Sequence, residues 1–153
     1  MSKLINSFHK KVILITGASS DIGMATALQF AKLKGRLALS GRNEENLNDL
    51  AWKCQESGGE PPLILKADMN CEHIIRATTE KFKSLDVLVN NNGIFEGGSI
   101  ETTTLPQYDT IFSSNARSVY NLTMLAVPHL IKSKGNIINV SSVHGIRPAT
   151  GKF

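Results

Sequence analysis

The sequence predicts an α/β fold in which a doubly wound parallel sheet is covered by helices on both faces. Three observations predict it. Short apolar, β-branched runs alternate with stretches of helical period. The first run enters a glycine-containing turn, Thr16-Gly17-Ala18-Ser19-Ser20, before a helical pattern starts. No internal repeat, low-complexity segment or linker interrupts the alternation, so neighbouring strands share one core, and residues 1–153 are expected to form a single domain.

The elements follow in order. Residues 12–15, Val-Ile-Leu-Ile, read as a strand buried on both faces. In the helix after the turn, Ile22, Ala25 and Leu28 recur at helical spacing, and Ser20 or Asp21 can cap the start. Gly35 stands where a C-terminal glycine ends a helix. Residues 37–39 are the second strand. Asn43 is a good N-cap for the second helix, with Glu44 and Glu45 in its first turn and Leu47, Leu50, Ala51 and Cys54 on its apolar face, ending before Gly58-Gly59. Residues 63–65 make a third strand. Ile75, Thr78, Thr79 and Phe82 share one face of a third helix, and residues 87–89 make a fourth strand ending in Asn90-Asn91-Asn92-Gly93. A glycine-rich loop runs to Thr104. The helical pattern over 105–134 is expected to bend near Pro128, which lacks the N–H a helix ladder needs. Residues 137–140 are the fifth strand. Met24 and Trp52 read as helix-packing or surface residues.

Composition narrows the partners. The chain of 153 residues, 41% hydrophobic and 20% charged, can bury an ordinary core. A net charge of +4 without a clustered basic tract favours small anionic ligands over nucleic acid. Cys54 and Cys71 have no CxxC spacing, so they read as free thiols, and no metal is expected. Residues 1–11 are polar and hold no apolar run of membrane-spanning or signal length, which makes no membrane and a cytoplasmic address the default.

The chemistry begins at the first turn. Its glycines let the backbone turn sharply and approach a ligand, and free N–H groups at a helix start favour a pyrophosphate. An ordinary strand-to-helix turn is the plainer reading. The strand before, the helix after and Arg42 about twenty residues onward favour a dinucleotide site. After the second strand, Ser40-Gly41-Arg42-Asn43 offers a guanidinium where an acid would serve the ribose of NAD, so NADP is expected over NAD.

The stretch Thr16 to Gly23 resembles the TGxxxGxG signature of the short-chain dehydrogenases/reductases, a family with a Rossmann-like doubly wound sheet. It departs once: Asp21 stands at the middle glycine, and its carboxylate is expected to turn away and cap the helix. The resemblance implies cofactor contacts at Gly17, Ser19, Ser20, Ile22 and Gly23, and at Arg42 and Asn43. Asp68, with Met69 beside it, resembles the Asp that holds the adenine amino group, although capping the next helix is an alternative use. Asn90-Asn91-Asn92-Gly93 resembles the NNAG motif with Asn92 in place of alanine; Asn91 and Gly93 are expected beside the cofactor, and Asn90 to be structural.

By the same resemblance, Asn115 matches the helical Asn that holds a water in the active-site tetrad. Ser142 matches the serine that polarises the substrate carbonyl, with Ser141 as its structural neighbour. His144 reads as exposed, and His9, His73 and His129 stand at no useful spacing. The family's proton-donating Tyr, with a Lys four residues on, lies about a dozen residues beyond its serine, which from Ser142 falls just past Phe153. Tyr108 is followed at that spacing by Phe112, and Tyr120 by Met124. The expectation is an NADP-dependent oxidoreductase acting on a small-molecule carbonyl or alcohol, represented by a part of its sequence that is inactive alone, has its fifth strand as an exposed edge, and forms a homo-oligomer at full length. The alternative is a non-catalytic NADP-binding or interaction protein derived from that family.

Overall fold

The computed structural model describes residues 8–66 and 71–147. Strands β1 (Val12–Ile15), β2 (Arg36–Gly41), β3 (Leu63–Lys66), β4 (Val87–Asn90) and β5 (Asn136–Asn139) form one parallel sheet in the order β3-β2-β1-β4-β5. The helices are α1 (Asp21–Lys32), α2 (Glu44–Glu56), α3 (Cys71–Phe82), α4 (Leu105–Phe112) and α5 (Ser118–Ser133), the last two joined by a π-helical turn, Ser113–Arg117. The chain builds outward from β1 to β3 and then returns to lay β4 on the other side of β1. That reversal opens a crevice at the carboxyl ends of β1 and β4, where ligands of open α/β sheets bind.

Both faces of the sheet are covered over its central strands, and β1 shows why its sequence is apolar throughout. Val12 and Leu14 join the core under α3 and α5, with Leu88, Leu122 and Leu130. Ile13 and Ile15 join the opposite core under α1 and α2, with Ala27, Leu39, Leu47 and Leu50. Successive residues of a strand point to opposite faces, so a strand at the centre of a doubly wound sheet needs apolar residues at both parities. At the other end of the sheet Asp86, 7% exposed, accepts from Lys11 Nζ at 2.7 Å, from the Val12 N–H at 2.9 Å and from Ser84 Oγ at 3.2 Å. Its backbone also bonds Val12 and Asn136, so one residue ties the starts of β1, β4 and β5 together.

Four expectations are corrected. The buried face of α1 is Gly23, Ala27 and Ala31; Ile22 is 58% exposed, Ala25 is exposed, and Leu28 is only partly buried. The helix lies too close to the sheet for large side chains, so size misdirected the reading of its face. The left-handed residue after α1 is Lys34 (φ 62°) and not Gly35, whose N–H closes the helix end on Phe30 O at 2.9 Å; a Cβ at 35 would lie 2.6 Å from Ile13 Cδ1. Along 105–134 the regular helix is interrupted at Ser113–Arg117, while Pro128 lies inside α5. Strand β5 begins and ends one residue earlier than expected. It is an edge strand, with Ile138 44% exposed. Trp52 is at the surface and Met24 packs against the core. No helix among the described residues is long and apolar enough to cross a membrane.

Cys54 is fully buried on α2 among Leu47, Leu50 and Ala31, and burial pushes its thiol up to about 11 from 9.0. Above pH 9 the unfolded chain releases this proton while the folded chain keeps it, so the stability this group contributes is complete below pH 9 and is lost as pH rises toward 11. Urea midpoints measured across that window are expected to fall, and to fall less steeply in Cys54→Ala; identical slopes would show that the buried thiol contributes nothing to the decline.

Candidate functional site at the carboxyl edge of the sheet

The site is built outward from Thr16, the residue after β1. Its buried hydroxyl donates to Val89 O at 3.3 Å and accepts the backbone N–H groups of Asn91 and Asn92, each at 3.1 Å. One donor and two lone pairs are all used, and the end of β4 is pinned to the end of β1. Asn91 returns the contact: its side-chain NH₂ donates to Thr16 O (3.2 Å), Gly17 O (3.0 Å) and Ser20 Oγ (3.1 Å).

Between these residues the chain makes its turn. Gly17 has φ of 60°, a region L side chains rarely adopt, and a Cβ there would lie 3.0 Å from both Asn91 O and Asn92 Cα. Ser20 then caps α1, its hydroxyl accepting the Gly23 N–H at 3.3 Å and donating to Gly17 O at 2.8 Å. This corrects the role expected of Asp21. Ser20 already fills the cap, so the Asp21 carboxylate stays exposed in the first helical turn. Gly23 lies against the turn so closely that a Cβ would fall 2.3 Å from Gly17 O. The backbone N–H groups of Ser19, Asp21 and Ile22 are left with no protein acceptor among the described residues. Three unsatisfied donors at the positive end of a helix fit an anionic diphosphate.

The end of β2 lies beside this turn. Gly41 is buried, and a Cβ there would lie 2.9 Å from Ser19 Oγ, so an acidic side chain at this position would have to displace Ser19. Arg42 follows, exposed and with no ion-pair partner among the described residues. Asn43 uses its side-chain oxygen to cap α2, accepting from Asn46 N at 3.0 Å. Lys66 and Glu44 pair at 3.1 Å across the ends of β3 and α2. Asp68 and Met69 lie outside the described residues.

The second half of the edge belongs to β4 and β5. Asn90, 3% exposed, donates to Thr123 Oγ1 at 3.1 Å and Asn139 Oδ1 at 2.8 Å, holding β5 and α5 to β4; its own Oδ1 is buried without a partner. Asn115 lies in the π-helical turn and clamps the backbone of Ile94, accepting its N–H at 2.9 Å and donating to its C=O at 2.8 Å. Gly93 sits beside this clamp. Ser142 lies beyond β5 as the cap of a short 3₁₀ turn, accepting the His144 N–H at 3.2 Å, which leaves its hydroxyl proton free to donate. Asn115, Ser141 and Ser142 line one open cleft of about 550 Å³ together with Asn91, Asn92 and Gly93. A smaller cavity on the β2 side is lined by Thr16, Gly17, Ser40, Asn90 and Asn92, with Cys71 at its wall; burial raises the Cys71 thiol above its ordinary range.

The structure therefore gathers Gly17, Ser19, Ser20, Ile22, Gly23 and Arg42 at one end of the crevice, and Asn91, Gly93, Asn115 and Ser142 at the other. Sequence reasoning missed Thr16, Thr123 and Asn139, which hold the two ends together. The strand register places Ile15 opposite Val89 and Asn90 opposite Asn139, a relation that spacing along the chain does not contain.

Comparison with known proteins agrees with this geometry. The family model described as short chain dehydrogenase matches residues 11–152. The chain is 36% identical over 142 residues to an uncharacterized oxidoreductase of Thermotoga maritima, covering 92% of this chain and 57% of that protein. It is 35% identical over 140 residues to the 3-oxoacyl-(acyl-carrier-protein) reductase FabG of the same organism (89% and 57% covered). To the 11-beta-hydroxysteroid dehydrogenase-like 2 of Arabidopsis thaliana it is 36% identical (90% and 46% covered). Among solved structures, the NADH-dependent reductase A1-R′ complexed with NAD superposes with a TM-score of 0.87 at 30% identity, covering 95% of this chain and 65% of that one. The chain thus spans 46–57% of the length of these curated relatives. A match over nearly its whole length, joined to a crevice whose helix start and strand ends fit a dinucleotide, establishes that the chain belongs to the short-chain dehydrogenase family of oxidoreductases, whose fold binds NAD or NADP.

Proposed function

We propose that this chain forms the dinucleotide-binding domain of an NADP-dependent oxidoreductase that interconverts a small-molecule carbonyl and its alcohol. The observation that carries the NADP reading is the end of β2, where a buried glycine stands in the place of an acid and an exposed Arg42 follows. An acid there would accept the ribose hydroxyls of NAD, whereas a guanidinium forms charge-assisted hydrogen bonds to a 2′-phosphate. The nicotinamide, when bound, supplies the hydride.

The chain's own residues divide the remaining tasks. The free N–H groups of Ser19, Asp21 and Ile22 hold the diphosphate on the α1 N-terminus, with Gly17 and Gly23 permitting the approach and Ser20 fixing the helix start. Asp68 and Met69 serve the adenine, Asn43 the entry beside Arg42, and Asn91 and Gly93 the floor. In the larger cleft the Ser142 hydroxyl donates to the substrate oxygen and stabilises the charge that develops there. Asn115 keeps the neighbouring Ile94 segment in position and orders water. Exposed Tyr120, Met124 and Ile131 on α5 support a homo-oligomer for the full-length protein.

A second reading rests on one observation: neither Tyr108 nor Tyr120 is followed four residues on by Lys. That favours a non-catalytic NADP-binding or interaction role for the 153 residues by themselves.

Isothermal titration of Arg42→Ala is expected to weaken NADPH by about tenfold to a hundredfold, the worth of a hydrogen bond to a charged group, and to leave NADH nearly unchanged. Equal losses for both coenzymes would remove the case for NADP. Asp21→Gly takes a carboxylate away from the phosphate-binding helix start, and it should tighten NADPH by about twofold to fivefold at low salt, with the gain shrinking as salt is added. Without a Tyr–Lys pair, a proton donor worth about 10²- to 10⁴-fold in rate is missing. The 153-residue chain mixed with NADPH and a panel of aldehydes and ketones is accordingly expected to show no loss of absorbance at the reduced nicotinamide band; steady turnover would contradict this and exclude the second reading.

A further inference from the structure

Asn92 stands where the family motif has alanine, and nothing in the functions assigned so far uses its side chain. Its backbone is fixed. The N–H is bonded to Thr16 Oγ1 at 3.1 Å, and its Cα lies 3.0 Å from the position a Cβ would take on Gly17. The residue lines both the small cavity beside Ser40 and the larger cleft that contains Ser142, so it occupies the seam between them. Its carboxamide is half-buried and has no protein partner among the described residues, although it offers two N–H donors and a carbonyl acceptor. Asn90, two residues earlier, is also on the linings of both cavities, but it is 3% exposed and its amide is spent on Thr123 and Asn139, so the open hydrogen-bonding group at the seam is the Asn92 carboxamide.

We infer that Asn92 is a coenzyme-binding residue particular to this chain, and that its carboxamide receives the sugar hydroxyls of the dinucleotide. The inference rests on the coenzyme reading above. A phosphate only accepts hydrogen bonds, so it would use the N–H donors of the Asn92 carboxamide and leave its carbonyl without a donor. A ribose diol donates and accepts, which matches an amide that offers both. The seam also lies between the phosphate-binding turn at Gly17 and the reacting cleft at Ser142, where a sugar of a dinucleotide bridging the two must pass. An alanine at this position could make neither hydrogen bond.

The test uses the 153-residue chain, its Asn92→Ala and Asn92→Leu variants, and calorimetric titration with NADPH and with NADH. Both variants should raise the dissociation constant for the two coenzymes by the same factor, about threefold to tenfold, as expected for one or two lost neutral hydrogen bonds. The melting temperature without ligand should stay unchanged. Leu keeps the shape of the side chain without its hydrogen bonds, so retained affinity in Leu but not Ala would mean that packing matters, and would overturn the inference. A loss confined to NADPH would assign Asn92 to the 2′-phosphate and also overturn it. Affinity unchanged in both variants defeats this inference while leaving the coenzyme reading intact, whereas a wild-type chain that binds neither coenzyme defeats the reading itself. If both variants lose their folded transition, the residue is structural and the inference fails.

Discussion

The ligand edge of this protein depends on how closely the first turn of α1 can lie on the backbone of Gly17 and Ala18. A side chain at residue 23 would bring its Cβ within 2.3 Å of Gly17 O and 2.8 Å of Ala18 Cα, separations that real Cβ atoms do not adopt. Because residue 23 is glycine, the helix begins directly over the turn and Ser20 can reach forward to cap it. The N–H groups that follow are then left to a ligand. The same closeness explains why α1 buries Gly23, Ala27 and Ala31: a helix drawn down onto a turn meets the sheet at a distance only small side chains tolerate. Packing and binding are here consequences of one steric condition.

The second half of the edge is held to the first by short side chains bonded to backbone. Thr16 and Asn91 exchange hydrogen bonds across the ends of β1 and β4, Asn90 carries the tie onward to β5 through Asn139, and Asn115 grips both polar groups of Ile94. Asparagine suits this task because one planar amide can donate and accept at once and has few torsions to immobilise. The π-helical turn belongs to the same scheme. An inserted residue widens the helix locally, a feature frequent at functional sites, and it occurs where Asn115 must reach the Ile94 backbone. Each hydrogen bond made within the fold restricts the crevice backbone without a ligand, and backbone already restricted adds less to the ordering cost of binding.

The parts of the fold that could be read from sequence are those decided locally. The run from Val12 to Ile15 is apolar at both parities because both faces are buried, and α2 follows its Asn43 cap and its Leu47, Leu50, Cys54 stripe. What could not be read was decided by neighbours distant in the chain. The inward face of α1 is set by its approach to the Gly17 turn. Lys34 takes the left-handed position because Gly35 is needed against Ile13. The interruption at Ser113–Arg117 answers to Ile94, whereas the proline that suggested a bend sits inside a continuous helix. In the candidate site, motif spacing pointed to Gly17, Asn91, Asn115 and Ser142, which the fold places along one sheet edge, yet Thr16 remained hidden, since its contribution lies in a partner seventy-five positions away.

Asp21 brings two of these constraints into opposition. A carboxylate in the first turn complements the helix dipole and stabilises α1 by a few tenths of a kcal/mol to about 1 kcal/mol. The same charge sits in the helical turn that carries the unbonded N–H groups, so what strengthens the helix start opposes an anion bound there. A glycine in that position would reverse both effects, losing dipole complementarity and helix propensity while freeing the anion site. The outcome turns on the cations nearby: Arg42 stands at the neighbouring strand end without an ion-pair partner among the described residues, and its attraction grows with the charge of the coenzyme. A coenzyme with a third phosphate meets more repulsion from Asp21 and more attraction from Arg42. The guanidinium can form direct hydrogen bonds to that phosphate while the Asp21 carboxylate acts only through space and water, and this difference is the physical basis of the NADP reading proposed above.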